Sequence, residues 1–199
     1  MNLCTAGLLL GSLIVAGASQ LQTLKSSLSD DARRWCGSDK ELDAWLSHTG
    51  GDLERSRDLI EDKAIFRKKL GKVTMRDCAR AFSTDGYTVC LEGLRDKDGL
   101  PLVFSKGLPR GNKQQIMRQT VYLQERILAD SPRRRLRAVT IIDCTASSFR
   151  MVDRALIEGG VDVIAKYYPW SNNGITIFVG APPPIRAMFR LARPAFPKE

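Results

Sequence analysis

The sequence predicts an α/β fold in which a small helical N-terminal part precedes a mixed β-sheet flanked by helices. Early in the chain, apolar residues recur at helical spacing between residues that cap helix ends. Later, short β-branched runs alternate with helical stretches, which is typical of parallel strands joined by crossover helices. Two further apolar runs are separated only by a polar turn and predict a hairpin, so we expect a mixed sheet. The 199 residues, of which 43% are hydrophobic, suffice to bury a core.

Residues 1–20 form an apolar N-terminal segment. Its core, residues 6–18, carries no charged side chain, and Ala16-Gly17-Ala18 looks like a signal-peptide cleavage site. No Lys or Arg precedes this run, and the run is short for a membrane-spanning helix. Two interpretations stay open. The segment is either a signal peptide for a secretory or organellar route, or an anchor helix that packs on the domain or dips into a membrane.

Residues 21–85 are predicted to form the small helical part. Ser38 begins an S-x-x-E capping box and with it a short helix. Asp52 is expected to cap a longer helix, which Gly71 closes. A further short helix is predicted over Thr74–Phe82. We find no evident catalytic chemistry in this part of the sequence.

Residues 86–199 are predicted to form the sheet and its helices. Tyr87–Leu91 and Leu100–Phe104 are strand-like runs on either side of a polar turn at Arg95–Gly99, and we expect them to pair as a hairpin. Apolar residues at helical spacing then predict a helix over Lys113–Asp130. This part therefore begins with a hairpin that a helix follows.

A strand–helix–strand unit is predicted next. Ala138–Asp143 and Gly174–Val179 are buried-type strands, and Phe149–Tyr168 between them is expected to be one long helix. Lengths of this kind indicate parallel strands with a right-handed crossover. A short helix is predicted from Ile185 to about residue 193. Because the last strand is so apolar, we expect further strands beside it or another cover over its open edge.

The charge balance favours an anionic partner. The 31 Lys and Arg outnumber the 22 Asp and Glu, for a formal net charge of +9, which suits an anionic membrane surface or a nucleic acid. Aromatic residues make up only 7% and show no base-stacking array, so we expect no nucleic-acid partner. A dense basic run is either a solvated loop or a membrane-docking contact with phosphate headgroups. Its members are Arg133, Arg134, Arg135 and Arg137.

The cysteines and the single histidine do not form a recognisable metal-binding motif in the sequence. The five cysteines are odd in number, have no metal-ligand spacing, and accompany a single histidine, His48. We therefore expect no metal and no cofactor. Scattered cysteines also fit reduced thiols in the cytoplasm.

The stretch from Arg95 to Glu199 resembles the CRAL-TRIO domain of phosphatidylinositol transfer and retinaldehyde- or tocopherol-binding proteins. The likeness rests on motifs in the family's order, which are Asp98–Val103, Val139–Asp143, Tyr167–Pro169, Ile175–Pro182 and Phe189–Phe196. The family's gate helix and last strands follow the point where this chain ends, so the resemblance implies an incomplete CRAL-TRIO-type sheet. Trp170 stands where the family's inositol-lipid binders carry Glu, so phosphatidylinositol specificity is not implied.

The resemblance implies that the protein binds and transfers a hydrophobic ligand, above all a phospholipid, and that it is not an enzyme. It also implies peripheral association with membranes. The ligand-binding residues that we predict are Tyr122, Ile142, Thr145, Ser148, Tyr167 and Phe178. For the two hydroxyl residues the alternative role is to cap the helix that follows them. For the four apolar and aromatic residues the alternative is ordinary core packing.

Two other functions have a basis in the sequence. Cys144 and Arg150 have the C-x₅-R spacing of cysteine-dependent phosphatases, between a strand and a helix. The intervening loop lacks the glycine that curling around a phosphate normally needs, and Asp143 precedes the cysteine, where its charge disfavours a thiolate. The other alternative is an interaction module that has lost its lipid pocket and offers the open edge of the Gly174–Val179 strand to a partner.

Overall fold

A computed structural model describes residues 19–76, 87–107, 111–132, 136–145, 157–183 and 186. The chain forms two compact units, Met1–Gly71 and Lys72–Glu199. The fold is α/β, with helices first and a mixed four-stranded sheet after them, as predicted. The predicted boundary lay between residues 85 and 86. The units divide earlier, where Gly71 ends a helix with a positive φ of 73°.

The first unit is helical in the part that the structure describes. Its helices are 19–27 (α1), Asp30–Cys36 (α2), Asp39–His48 (α3) and Leu53–Leu70 (α4). Ser38 and Asp52 are confirmed as N-caps, because the Ser38 side chain accepts from the Glu41 N–H and the Asp52 carboxylate accepts from the Arg55 N–H. The capping box predicted at Ser38 is confirmed only in this half, because the Glu41 carboxylate accepts from Lys63. The predicted helix over Thr74–Phe82 lies largely outside the described residues.

The core of the first unit combines aliphatic side chains with a buried ion pair. Its fully or nearly fully buried apolar residues are Leu24, Leu28, Ala32, Cys36, Leu42, Trp45, Ile60 and Ala64. Among them, Lys63 Nζ on α4 donates to Glu41 Oε1 on α3 at 2.6 Å, and both side chains are almost inaccessible to water. Two helices are therefore joined by apolar packing and by a charge pair that water does not screen.

The second unit contains one sheet with strands in sequence order. Its strands are Tyr87–Arg95 (β1), Pro101–Lys106 (β2), Val139–Asp143 (β3) and Ile175–Val179 (β4), and their order is β1-β2-β3-β4. Strands β1 and β2 are antiparallel, whereas β2, β3 and β4 run parallel. The predicted hairpin and the predicted parallel pair are both confirmed.

Strand β1 is longer than predicted because its pairing resumes after an irregularity. The register shifts between Leu91 and Arg95, and Arg95 then pairs with Pro101. The turn that follows depends on Asp96, whose carboxylate accepts from the N–H groups of Asp98 and Leu100 at 2.9 and 2.8 Å. This local bonding explains why a short polar run suffices to reverse the chain.

Helix α5 spans Lys113–Asp130, with the bounds that the sequence predicted, and Asn112 forms a capping box with Gln115. The later helix differs from prediction. A π-helical turn, Ile157–Val161, precedes a short α-helix, Asp162–Tyr167 (α6), and residues 149–156 lie outside the described residues.

Close packing against α5 accompanies this change in helix type. A Cβ at Gly159 would lie 2.6 Å from the Lys113 carbonyl oxygen, so only glycine fits there. Pro169 then begins a 3₁₀ turn that extends to Asn173. The helix predicted from Ile185 lies outside the described residues apart from Arg186, which is helical.

Candidate functional site

The register of the strands assigns their side chains to two faces, since directly paired residues point to the same side of a sheet. One face packs on α5, because Val103 of β2 forms a buried cluster with Ile127 of α5 and with Ala138. We call it the covered face, and its members are Val103, Ser105, Thr140, Ile142, Thr176 and Phe178, of which Thr176, on the outer strand, is exposed. We call the opposite side the aliphatic face, and its members are Leu102, Phe104, Lys106, Val139, Ile141, Asp143, Ile175, Ile177 and Val179.

Strand β4 exposes a row of aliphatic side chains on the aliphatic face. Ile175, Ile177 and Val179 are 39%, 46% and 46% exposed, respectively. On the same face, Ile177 pairs with Ile141 of β3, and Ile141 pairs with Phe104 of β2. Both Ile141 and Phe104 are half-buried. Contiguous apolar surface of this kind marks a binding site more often than isolated exposed residues do.

The carboxyl ends of the parallel strands add polar groups to this apolar surface. Lys106 and Asp143 are paired in register there, on the aliphatic face. The Asp143 carboxylate accepts from the Thr145 hydroxyl at 2.7 Å and from the Thr145 N–H at 3.0 Å. These two hydrogen bonds lower the pKa of Asp143, and the charge of Lys106 acts in the same direction. A cation and a carboxylate thus lie side by side where α/β sheets commonly bind ligands.

The three strand ends meet closely at this edge of the sheet. The Gly107 N–H donates to the Asp143 carbonyl, and the Cys144 N–H donates to the Val179 carbonyl, both at 2.8 Å. Gly180 has a φ of 63°, and a Cβ there would lie 2.5 Å from the Thr145 Cγ2. Glycine at this position therefore lets the Thr145 side chain lie against the end of β4.

The structure brings two of the six predicted ligand-binding residues together. Ile142 and Phe178 pair in register, but on the covered face, opposite the exposed aliphatic row. Thr145 is exposed at the polar end, where its hydroxyl is bonded to Asp143. Ser148 lies outside the described residues.

The two predicted tyrosines lie on helices instead. Tyr122 is half-buried on α5 and Tyr167 half-buried on α6, and these helices pack against each other. The ring of Tyr167 also lies 4.9 Å from Lys166 Nζ, measured to the ring centroid. Their contribution to a ligand site stays a prediction.

The basic run is described in part. Arg133, Arg134 and Arg135 lie outside the described residues. Arg137 is half-buried, with its Nε inaccessible to water, and its carbonyl accepts from the Ser131 hydroxyl at 3.1 Å. The Arg137 side chain therefore packs partly against the protein and is partly exposed to solvent.

The exposed row and Lys106 are not among the site residues that the sequence predicts. Alternation along β4 shows that Ile175, Ile177 and Val179 share one face. Only the position of α5 shows which face stays accessible, because a helix covers one side of the sheet and not the other. The signal that could have identified Lys106 is its place as the last residue of a strand parallel to the one that ends in Asp143.

The geometry around Cys144 bears on the phosphatase alternative. The Cys144 side chain is buried, and its N–H donates within the sheet. The next N–H, that of Thr145, donates to Asp143. Phosphate-binding loops direct successive N–H groups at one anion, whereas these two are used by other partners.

The described residues offer neither a metal site nor a membrane span. They contain no group of three His, Cys, Asp or Glu residues placed to hold a metal ion. None of their helices combines the length and the apolar character needed to cross a membrane.

Comparison with known proteins gives no further assignment. No protein-family model matches the chain, and a search of curated proteins finds no match. The CRAL-TRIO resemblance therefore stays a prediction that rests on the sequence motifs between Asp98 and Phe196.

Proposed function

We propose that this protein binds a phospholipid or a similar amphiphile, with the acyl chain along the aliphatic face and the headgroup at the Lys106–Asp143 end. The observation that carries the proposal is the exposed row of Ile175, Ile177 and Val179. A row of aliphatic side chains in water is unfavourable, and covering it with hydrocarbon removes that cost at about 25 cal/mol per Å² of apolar surface.

The dimensions of the row support an acyl chain as its occupant. From Ile175 to Val179 the strand rises by about 13 Å, at roughly 3.3 Å per residue. A hydrocarbon chain along this length buries several methylene groups, each contributing about 0.8 kcal/mol. Phe104 and Ile141 widen the floor beside it. Such a surface provides affinity without selecting a particular chain length.

The polar end supports a charged headgroup. Lys106 is exposed and can approach a phosphate, and the ionised carboxylate of Asp143 lies beside it. The Thr145 hydroxyl donates to Asp143 and still has lone pairs that can accept from a headgroup hydroxyl or amine. A few polar groups at the end of an apolar surface suffice to orient an amphiphile.

Membrane docking follows from the charge of the chain. With a net charge of +9, the protein is attracted to an anionic membrane surface. Each basic side chain near such a surface contributes about 1 kcal/mol. The docking residues of this proposal are Arg133, Arg134, Arg135 and Arg137. We expect their joint reversal to Glu to weaken binding to phosphatidylserine vesicles, and unchanged binding would remove this part of the proposal.

The proposed activity is binding and transfer, not catalysis. Lipid capture requires no bond to be broken, and the buried side chain of Cys144 is poorly placed to attack a phosphate. Hydrolysis of an aryl phosphate that vanishes in Cys144→Ser would contradict this view.

Native mass spectrometry of the full chain tests the binding proposal. After incubation with mixed phospholipid vesicles, we expect a stoichiometric adduct that organic extraction identifies as a phospholipid. The variant Val179→Asn should reduce uptake about tenfold, because it removes about 1.4 kcal/mol of apolar contact. Leu94→Asn is the matched control, since Leu94 is an aliphatic residue on β1 that is 55% exposed, against 46% for Val179.

The headgroup end has its own matched pair. Lys106→Glu should lower uptake of phospholipid, whereas Lys97→Glu, in the turn at the opposite end of β2, should not. If the wild-type chain shows no adduct from any vesicle, the proposal is wrong. Uptake that both glutamate variants lower equally would instead indicate an effect of total charge.

A further inference from the structure

The two outer strands of the described sheet differ in how they are protected against pairing with another chain. Strand β1 has an irregular register between Leu91 and Arg95, and it carries the charges of Glu92 and Arg95. Bulges and charged residues are the usual means by which edge strands avoid partners. Strand β4 has neither, because its sequence is ITIFV and its register with β3 is regular.

The surroundings of β4 in the sequence are also uncharged. No Asp, Glu, Lys, Arg or His occurs from Tyr167 to Ile185, although the chain as a whole carries a net charge of +9. Two copies of a strongly basic chain repel each other over most of their surfaces. At β4 and its uncharged flanks, two copies can approach each other without this electrostatic repulsion. The same segment has no charge that would attract a charged partner.

The backbone of β4 directs hydrogen-bonding groups to its outer edge. The Ile175 N–H donates to the Ala138 carbonyl and the Val179 carbonyl accepts from the Cys144 N–H, so these residues are bonded towards β3. Because backbone groups alternate along a strand, the N–H and C=O of Thr176 point the other way. Thr176 is exposed.

We propose that β4 pairs antiparallel with β4 of a second copy, about a two-fold axis at Ile177. This register places Ile177 opposite its own copy and Ile175 opposite Val179, so each contact joins two β-branched aliphatic side chains. Thr176 forms backbone hydrogen bonds across the axis. The two sheets become one, and the exposed aliphatic rows of both copies become continuous.

The size of this contact sets the expected affinity. Two five-residue strands bury less surface than the roughly 1,200 Å² of small stable interfaces, so self-association depends on concentration. Sedimentation velocity over about a hundredfold range of protein concentration should show a shift from the 22.1 kDa chain to twice that mass.

Charge complementation at Ile177 tests the two-fold register. In Ile177→Lys, or in Ile177→Glu, the dimer places two like charges directly opposite each other, and we expect dissociation to increase about tenfold or more. An equimolar mixture of the two variants places Lys opposite Glu and should restore the dimer. Leu94→Lys, which adds the same charge to an exposed residue of β1, should dimerise like the wild type.

Three other outcomes would each overturn the proposal. A wild-type chain that stays monomeric at every concentration shows that another segment of the chain, or only water, lies on the β4 edge. A dimer that survives both Ile177 substitutions uses another surface. Loss of the dimer in each variant without recovery in the mixture excludes an axis at Ile177. Far-UV circular dichroism of each variant establishes that it is folded, and the recovery itself shows that both are.

Self-association is independent of the proposed lipid binding. Pairing at the edge leaves the aliphatic face accessible, so the two properties are measured separately. Lys106→Glu is expected to reduce lipid uptake and leaves every side chain of β4 unchanged, so it should dimerise like the wild type. A dimer without lipid, or a lipid-loaded monomer, would each refute one proposal and not the other.

Discussion

The core of the helical unit and strand β4 of the sheet unit differ in how far their apolar and charged side chains are buried. In the described part of the first unit, Ile60 and Trp45 are fully buried, and even the Lys63–Glu41 ion pair lies inside. In the second unit, Ile177 and its neighbours on β4 remain about half exposed, with charged residues at the strand ends. Burial of these side chains in the first unit stabilises the fold, whereas the exposure of β4 leaves a row of apolar side chains in contact with water.

The buried ion pair should give the largest effect, because removing one partner leaves the other charge uncompensated. Glu41→Gln is expected to lower the free energy of unfolding by about 3–5 kcal/mol. Urea denaturation followed by tryptophan fluorescence measures it, since Trp45 packs in the same unit.

The double variant Glu41→Leu/Lys63→Met is the control for this substitution. It replaces both charges by apolar groups of similar size, so its stability should return to the wild-type value or exceed it. A loss below about 1 kcal/mol in Glu41→Gln would show that the pair is not sealed from water, and the contrast between the two units would be weaker than the structure indicates.

The same substitution in both units compares them directly. Ile60→Ala removes a fully buried side chain and should cost about 2–5 kcal/mol. Ile177→Ala removes a half-exposed side chain and should cost less than about 1 kcal/mol. Chemical denaturation of the two variants gives both values. Equal losses would mean that β4 is buried in solution, as it would be under a cover that this structure does not describe.

The smallest effect concerns the polar end of the second unit. The hydrogen bonds from Thr145 lower the pKa of Asp143, so the ionised carboxylate stabilises the fold. That contribution is complete above the ordinary aspartate pKa of about 3.9 and is lost as the pH falls through the lowered pKa. We expect Thr145→Val to raise the pKa of Asp143 towards its ordinary value. Carboxyl chemical shifts in an NMR titration measure the pKa.

Thr176→Val is the matched control for that titration, because Thr176 is an exposed threonine in the same unit that lies on the opposite face of the sheet from Asp143. In Thr176→Val, the pKa of Asp143 should equal the pKa of Asp143 in the wild type. An unchanged pKa in Thr145→Val would show that the Thr145 hydroxyl is not the main cause of the lowered pKa, since the variant keeps the N–H of residue 145 and the charge of Lys106.

Local signals in the sequence predicted most helices and strands. Ser38, Asp52 and Gly71 begin or end helices as expected, since capping depends on residues only a few positions apart. Helix α5 agrees in both bounds. The π-helical turn at Ile157–Val161 was not predicted, because it accompanies the approach of Gly159 to α5, a contact between distant parts of the chain.

The candidate site was predicted less completely than the fold. Ile142 and Phe178 were expected to line a pocket, and they are neighbours on the covered face of the sheet. The accessible residues on the other face, such as Ile177, are equally apolar and belong to the same strands, so the sequence does not distinguish them from Ile142 and Phe178. Periodicity separates two faces of a strand but does not say which one a helix covers.

The sequence by itself determined that helices precede the sheet, the N-caps at Ser38 and Asp52, the hairpin and the parallel pairing of β3 with β4, because these depend on residue type and on the lengths of neighbouring segments. The tertiary structure alone decided that α5 covers one side of the sheet, that Lys63 reaches Glu41, and that Lys106 lies beside Asp143. These contacts join residues far apart in the chain. These contacts form because many apolar surfaces compete for burial, and the outcome of that competition depends on how the whole chain packs.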